Sequence, residues 1–490
     1  MKINRVAITL LIIPLTLSAF THLWNPVGFP DIFYDEGVYM YRAMNVLAGQ
    51  GLQVSNFHDH PYFGQLFLAG ALSIIGYPNS LHPTPDVHSI EMLYLVPRVL
   101  MGLLAIVDTF LIFKISERRY STNVAFLASI LFAVMPVTWL MRRILLDSIL
   151  LPFLLSSILF TIYAKDSQNK KLFAVISGIL FGITIFTKET AIFMIPLVVA
   201  LLYQSTKNRK LLLVWFVPVI LIPLLWPIQS VTDNHFHKFV IDVLSQVHRQ
   251  NNNFVNIVGN FAGYDPVLLT LGIIGTIYAA IKRDFMILLW IIPFVIFLAS
   301  TGYVQYFYWI IILPALCIAA SKFIIDKIEI VKKNTQRIVT FSVIFSVCIF
   351  GLTVSTLLIT TNVSGQFEAA AYVVQNVHNS NIPKDSNNTT IISSPDYSWL
   401  FTYVYKMPDV VPDYRYLLFY PAYTEKILLI ADAHFMENIN TGKQLQDVYN
   451  QTILTKKFYG GVLKYDSKKY PFTNMVPNYE GGIIEIRESK

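Results

Sequence analysis

The stretch Asp31–Gly51, DIFYDEGVYMYRAMNVLAGQG, follows the first apolar segment of the chain. It carries two adjacent carboxylates, Asp35 and Glu36, with Tyr39 and Arg42 behind them. Gly28 and Pro30 break the chain just before it. A helix that starts near Tyr34 places Asp35, Tyr39 and Arg42 at i, i+4 and i+7, hence on one face, while Glu36 points aside. Read alone, the stretch also fits a plain helix start, because acidic residues in a first turn complement the helix dipole and an arginine can snorkel to lipid headgroups. The rest of the chain decides between the two readings.

Of the 490 residues, 54% are hydrophobic and only 14% charged, against about 25% charged in an average soluble domain. Mean hydropathy is +0.54. Such a chain has too little polar surface to cover itself in water, so the composition implies a polytopic membrane protein. The formal charge of +7 is scattered over short loop clusters, which argues against nucleic-acid binding. The two cysteines, Cys317 and Cys348, lie in apolar runs, so neither a disulfide framework nor a cysteine metal site is expected. Lys2 and Arg5 precede an apolar run to about Ala19, which reads as an uncleaved first span.

Apolar runs bounded by charge predict eleven spans, at 6–24, 93–114, 123–141, 144–163, 172–187, 190–204, 211–228, 266–281, 285–300, 306–321 and 338–360. Loop charge fixes the orientation. Lys2 and Arg5, Lys114 to Arg119, Lys165 to Lys171, Lys207 to Lys210, Lys282 and Arg283, and Lys322 to Arg337 all fall on one side, which the positive-inside rule makes cytoplasmic. A twelfth span at 62–77 would invert everything after it, so that short apolar run is read as an interfacial helix. The N-terminus is then cytoplasmic. Loops 25–92 and 229–265 and the tail from 361 lie outside the cell membrane. All four Asn-x-Ser/Thr sequons, Asn362, Asn387, Asn388 and Asn450, lie in that tail, in mild agreement. The domain division is 1–360, membrane, and 361–490, a small α/β domain with strands at 389–394, 426–432 and 481–488 and helices near 366–378 and 442–450.

Five clusters carry chemistry. The first is Asp35-Glu36 with Tyr39 and Arg42. The second is His58-Asp59-His60-Pro61, a helix start that has metal- or phosphate-binding residue types. The third is MRRILLDSIL, 141–150, where Arg143 and Asp147 stand one helical turn apart at the outer boundary. An ionisable residue within a span costs about 2.5–3.5 kcal/mol and so marks function, although an Arg143–Asp147 pair is an equally simple structural reading. The fourth is Lys188-Glu189, in a turn between short spans. The fifth is Gln305, Tyr306 and Tyr308, which also fit an aromatic belt. Asp108 stands mid-span, as helix–helix glue or cavity wall. Four of these clusters share one depth, and the fifth can join them. Cations there suit the phosphate of a lipid headgroup, and a carboxylate suits proton transfer.

With these motifs in view, the chain resembles the GT-C glycosyltransferases, in particular the protein O-mannosyltransferase and aminoarabinose-transferase branch, over about residues 1–325. Asp35-Glu36-Gly-Val-Tyr39-Met-Tyr-Arg42 matches that branch's first-loop motif. His60-Pro61-Tyr62-Phe63 matches its Lys-Pro-Pro-type element with one proline missing and histidine in place of lysine. RRILLDSIL and FTKET match two further elements. The resemblance implies a GT-C fold with interfacial helices in the first outer loop, a polyprenyl-phosphate-linked sugar donor, inversion at the anomeric carbon, and a protein, lipid or glycan acceptor at the outer face. It implies Asp35 as general base or acceptor-orienting group, supported by Glu36. It places Arg42, His60, Arg143 and Lys188 around the lipid phosphate, with Tyr39, Asp147, Gln305 and Tyr306 lining the cavity. A divalent metal at Asp59 is an open expectation, and no other cofactor is implied. The sequons lean toward an archaeal-like cell surface. The competing readings are a transporter or flippase of a lipid-linked or anionic solute, which usually shows internal repeats not seen here, and a non-catalytic assembly protein that works through its tail.

Overall fold

The computed structural model describes residues 5–53, 57–249, 253–330, 333–360, 365–379, 389–419, 426–460 and 482–489. Helices fall on each predicted apolar run. They are α1 (Arg5–Leu23), α4 (Val87–Arg119), α5 (Thr122–Val134), α6 (Leu146–Tyr163), α7 (Lys170–Thr187), α8 (Ile195–Thr206), α9 (Arg209–Leu221) continued by α10 (Leu225–Thr232), α13 (Pro266–Ile281), α14 (Phe285–Ser300), α15 (Leu313–Ile328) and α16 (Lys333–Ile359). Among the described residues six helical segments are long and apolar enough to cross a bilayer, or eight if each of two bent pairs counts as one span. The predicted eleven include shorter helices such as α14, which has 16 residues.

Exposed Leu213, Val217, Ile220 and Leu224 along α9 and its continuation would be a liability in water but are expected against lipid. Small residues allow close helix contact: a Cβ added at Gly275 of α13 would lie 2.4 Å from the Ala319 backbone of α15.

Between α1 and α4 lie α2 (Tyr34–Leu47) and α3 (Phe63–Ile74). With 12 residues, α3 is about 18 Å long, too short for a core of about 30 Å, which agrees with its interfacial reading. Between α10 and α13 run α11 (Phe236–His248) and α12 (Phe254–Tyr264).

The C-terminal part begins with α17 (Gly365–Asn379). It continues with β1 (Thr389–Ile392), α18 (Pro395–Trp399), β2 (Val410–Val411), β3 (Lys426–Ala431), α19 (Ala433–Asn438), α20 (Lys443–Gln451), β4 (Thr452–Tyr459) and β5 (Ile483–Ser489). The sheet order is β2-β1-β3-β5-β4, with β1 parallel to β2 and β3, and β5 antiparallel to β3 and β4. Near-continuous burial from Ile427 to Ala431 explains the apolar run KILLIA, because a central strand is covered on both faces. Three of the sequons, Asn362, Asn387 and Asn388, lie outside the described residues.

One hydrophobic cluster joins the two parts. Met40 and Ala43 of α2 and Leu93 of α4 pack with Phe367, Trp399 and Ile430. A Cβ added at Gly37 would lie 2.3 Å from the backbone nitrogen of Asp396. The backbones of α2 and α18 therefore touch, and only glycine fits there.

Candidate active site

Helix α2 starts at Tyr34, where the spacing predicts it. Its first three side chains diverge. Tyr34 is buried against the C-terminal part. Glu36 is fully enclosed. Its carboxylate accepts hydrogen bonds from Arg98 Nε (3.0 Å) and Nη2 (2.9 Å), Arg143 Nη1 (3.0 Å) and the Ile144 backbone N–H (3.2 Å). Asp35, between them, stays partly exposed and has no hydrogen bond or ion pair among the described residues. Burial raises its carboxyl above the ordinary value, opposed by the charges of Lys188, His60, Arg249 and Arg415.

Around Asp35 the other carboxylates are each matched with a cation. Arg42 holds Asp59 at 2.8 Å, His60 holds Glu189 at 3.1 Å, and Lys188 holds Asp147 at 2.7 Å. From the C-terminal part, Arg415 holds Asp413 at 2.8 Å. The Lys188 ammonium lies 4.0 Å from the ring centre of Tyr308 and 5.1 Å from that of Phe307, contacts that favour a buried cation. Burial pushes the Asp59 carboxyl up, but Arg42 and His60 outweigh this and hold it below the ordinary value. Tyr39 stands among these groups. Burial raises its phenol well above the ordinary value, and the Asp35, Asp147 and Asp59 charges raise it further. The predicted face Asp35–Tyr39–Arg42 thus turns to one polar site, and Lys188 links Asp35 to Asp147.

Several expectations need correction. Arg143 does not meet Asp147 and does not reach this site. The chain from Pro136 to Arg142 forms a separate 3-10 segment, Arg143 is extended, and α6 begins only at Leu146. Their spacing of four is therefore not one helical turn. Arg143 turns back to Asp31 (2.8 Å) and Glu36, with no exposure. Glu36, expected beside Asp35 in catalysis, has its acceptor capacity filled by arginines, because Arg98 reaches it from α4. The run His58-Asp59-His60 does not converge on one partner either. The His58 backbone N–H donates to Asp242 (2.9 Å), while Asp59 and His60 take separate partners.

No group of three His, Cys, Asp or Glu residues suited to a metal ion occurs among the described residues. Asp59 faces a guanidinium, so this donor set does not fit the expected metal. Gln305 donates to the Tyr303 hydroxyl (2.8 Å). Tyr306 is buried, edge-on to Phe33 at 5.7 Å, and supports α2 from below. Asp108 is enclosed in α4, ten residues beyond Arg98, hence about 15 Å further along the helix. It does not line the site.

The family model described as dolichyl-phosphate-mannose-protein mannosyltransferase matches residues 88–227. No curated protein matches the sequence significantly. Among solved structures, the oligosaccharyltransferase of Archaeoglobus fulgidus in its apo form superposes with a TM-score of 0.60 at 11% identity, covering 94% of this chain and 75% of its own. ArnT from Cupriavidus metallidurans in the apo state superposes with a TM-score of 0.58 at 13% identity, covering 98% and 97%. ArnT bound to undecaprenyl phosphate gives 0.55 at 13% identity, with the same coverage. The chain has the GT-C glycosyltransferase fold.

On this GT-C scaffold, charged residues that the sequence did not single out complete the site. Arg98 anchors Glu36. Arg249, at the end of α11, lies 3.9 Å over the Tyr303 ring. It hydrogen-bonds Gln246 (2.8 Å) and has no carboxylate partner among the described residues. Arg415 and Asp413 arrive from a part of the chain more than 370 residues beyond Tyr34. None of them has a local pattern. Only the loop-charge bias, under which an arginine in a loop expected outside, such as Arg249, is exceptional, points to any of these residues.

Proposed function

We propose that this GT-C chain is a membrane glycosyltransferase that moves a sugar from a polyprenyl-phosphate-linked donor to a hydroxyl acceptor at the outer face of the cell membrane, with inversion. The observation that carries the proposal is Asp35, the one carboxylate facing the polar site with no cation of its own among the described residues. Asp35 removes the acceptor proton as the acceptor oxygen bonds to the anomeric carbon. The bond from that carbon to the phosphate oxygen breaks, and the lipid phosphate leaves with the added negative charge.

Lys188 and Arg249, and beside them Arg42 and His60, are the cations placed to stabilise that charge. Arg249 is prominent because no carboxylate among the described residues offsets it. Arg143 instead belongs to the scaffold under α2. A polyprenyl-phosphate donor is supported by the relatives. One is ArnT bound to undecaprenyl phosphate. Another is the Archaeoglobus fulgidus AglB in complex with an inhibitory peptide and a dolichol-phosphate, which superposes with a TM-score of 0.57 at 11% identity, covering 93% of this chain and 74% of its own. Residues 1–360 would hold the donor, with 361–490 at the outer face.

Asp35→Asn should abolish release of labelled sugar from a polyprenyl-phosphate mannose donor while membrane insertion and thermal stability persist. Full activity in that variant overturns the role of Asp35. Movement of the labelled lipid across the bilayer with no covalent product, by wild type, would make the chain a transporter.

A further inference from the structure

Asp35 has little to hold it in place except its two neighbours in the chain, and those are gripped from different parts of the molecule. Glu36 is held by Arg98 and Arg143, as described above. Tyr34 is held by the C-terminal part. Its hydroxyl donates to Asp413. Its ring stacks on His434 with centres 4.1 Å apart, and the Arg415 guanidinium lies 4.4 Å from the ring centre. Asp413 is organised for this. It accepts from the Arg415 backbone N–H (2.9 Å), Nε (2.9 Å) and Nη2 (2.8 Å) at the start of the 3-10 turn Tyr414–Leu418. His434 is fixed by the Tyr414 hydroxyl at 2.6 Å. Burial and the Arg415 charge push its imidazole down to about 3, so it stacks on Tyr34 as a neutral ring. The close approach of Gly37 to α18 holds the same turn from a third side.

We propose that Tyr34, Asp413 and Arg415 are positioning residues for Asp35, so that the C-terminal part is a component of the transfer site and not a separate module. This rests on the reading of Asp35 as the base. The first turn of a helix has few internal hydrogen bonds. A half-buried carboxylate there, with Lys188, His60, Arg249 and Arg415 all attracting it, would otherwise swing among them. Fixing the residues before and after it leaves its carboxylate without a partner among the described residues yet aimed at the site, the arrangement a general base requires. Tyr39, Tyr303 and Tyr308 are the other titratable groups facing Asp35.

The full-length protein tests this with labelled polyprenyl-phosphate mannose as donor and water as the probe acceptor, across pH. Tyr34→Phe and Asp413→Asn should lower kcat by about ten- to a hundredfold with donor KM changed less than about twofold. Arg415→Met should move the acidic limb of the kcat profile to higher pH, because a cation that favours ionised Asp35 is lost, and Arg415→Lys should restore most of the shift. Hydrogen exchange at residues 34–38 supplies a readout independent of turnover and should speed up in Tyr34→Phe and Asp413→Asn but not in Asp35→Asn. Unchanged kcat, pH limb and exchange in these variants, with Asp35→Asn inactive, overturn the positioning role alone. An active Asp35→Asn overturns the underlying reading instead.

Discussion

Asp35 and Glu36 are neighbours in the chain and end in opposite surroundings. Glu36 lies in a closed knot with Arg98, Arg143 and Asp31, where all of these side chains are buried and every link is a charge-assisted hydrogen bond. Asp35 lies in an open cluster where Arg42, His60, Lys188 and Arg415 are each paired with another carboxylate. In the knot, charge is neutralised so that the loop after α1, α2, α4 and the segment before α6 can meet at one point. In the cluster, one carboxylate has no partner among the described residues. Acidic residues at adjacent positions can thus serve architecture and chemistry separately, because consecutive helical side chains point about 100° apart.

The sharpest way to break this comparison is to exchange the two losses. Asp35→Asn should cut turnover by about 10²–10⁴-fold, the usual worth of a general base, with stability changed by no more than about 0.5 kcal/mol. Glu36→Gln should do the reverse. It leaves two buried arginines short of charge, so stability should fall by about 3–5 kcal/mol, read as lost thermal stability in detergent. If Glu36→Gln folds normally and only activity falls, the knot is not structural.

A smaller effect is expected at Arg249. Arg249→Met removes one charge-assisted contact to phosphate, worth about 1.5–3 kcal/mol. Donor KM should therefore rise by about tenfold or more, while kcat falls less. An unchanged KM would remove Arg249 from donor binding.

The smallest effect concerns His60. Burial pushes its imidazole down, but the charge and hydrogen bond of Glu189, with Asp59, outweigh this and raise it above the ordinary value. A raised imidazole favours the charged form below its ordinary pKa and loses that benefit as pH rises through the folded value. Donor binding should therefore weaken as pH rises through a value above the ordinary imidazole one. Glu189→Gln should move that loss to lower pH by a modest amount, since the Glu189 side chain is 43% exposed and solvent screens the pair. Titration of donor affinity against pH in both proteins checks it.

Much of this was legible from local pattern. Hydrophobic run length placed the helices, and the i, i+4, i+7 spacing placed Asp35, Tyr39 and Arg42 together. The apolar runs of the tail placed β1, β3 and β5. The pairings were not legible. Arg143 and Asp147 have the spacing of a helical pair, but the turn at residues 136–145 breaks the helix between them, and each finds a partner far away in sequence. The expectation of a metal at Asp59 meets no three-residue donor set among the described residues, because three adjacent polar residues in a loop turned to three different elements.

The sequence by itself determined that this chain belongs in a membrane, where its helices run and which helix face carries Asp35, since burial and helical periodicity act over a few residues. Only the tertiary structure decided which cation neutralises which carboxylate among the described residues. Coulomb attraction depends on distance in space, and Arg98, Lys188, Arg249 and Arg415 reach α2 from four separate elements.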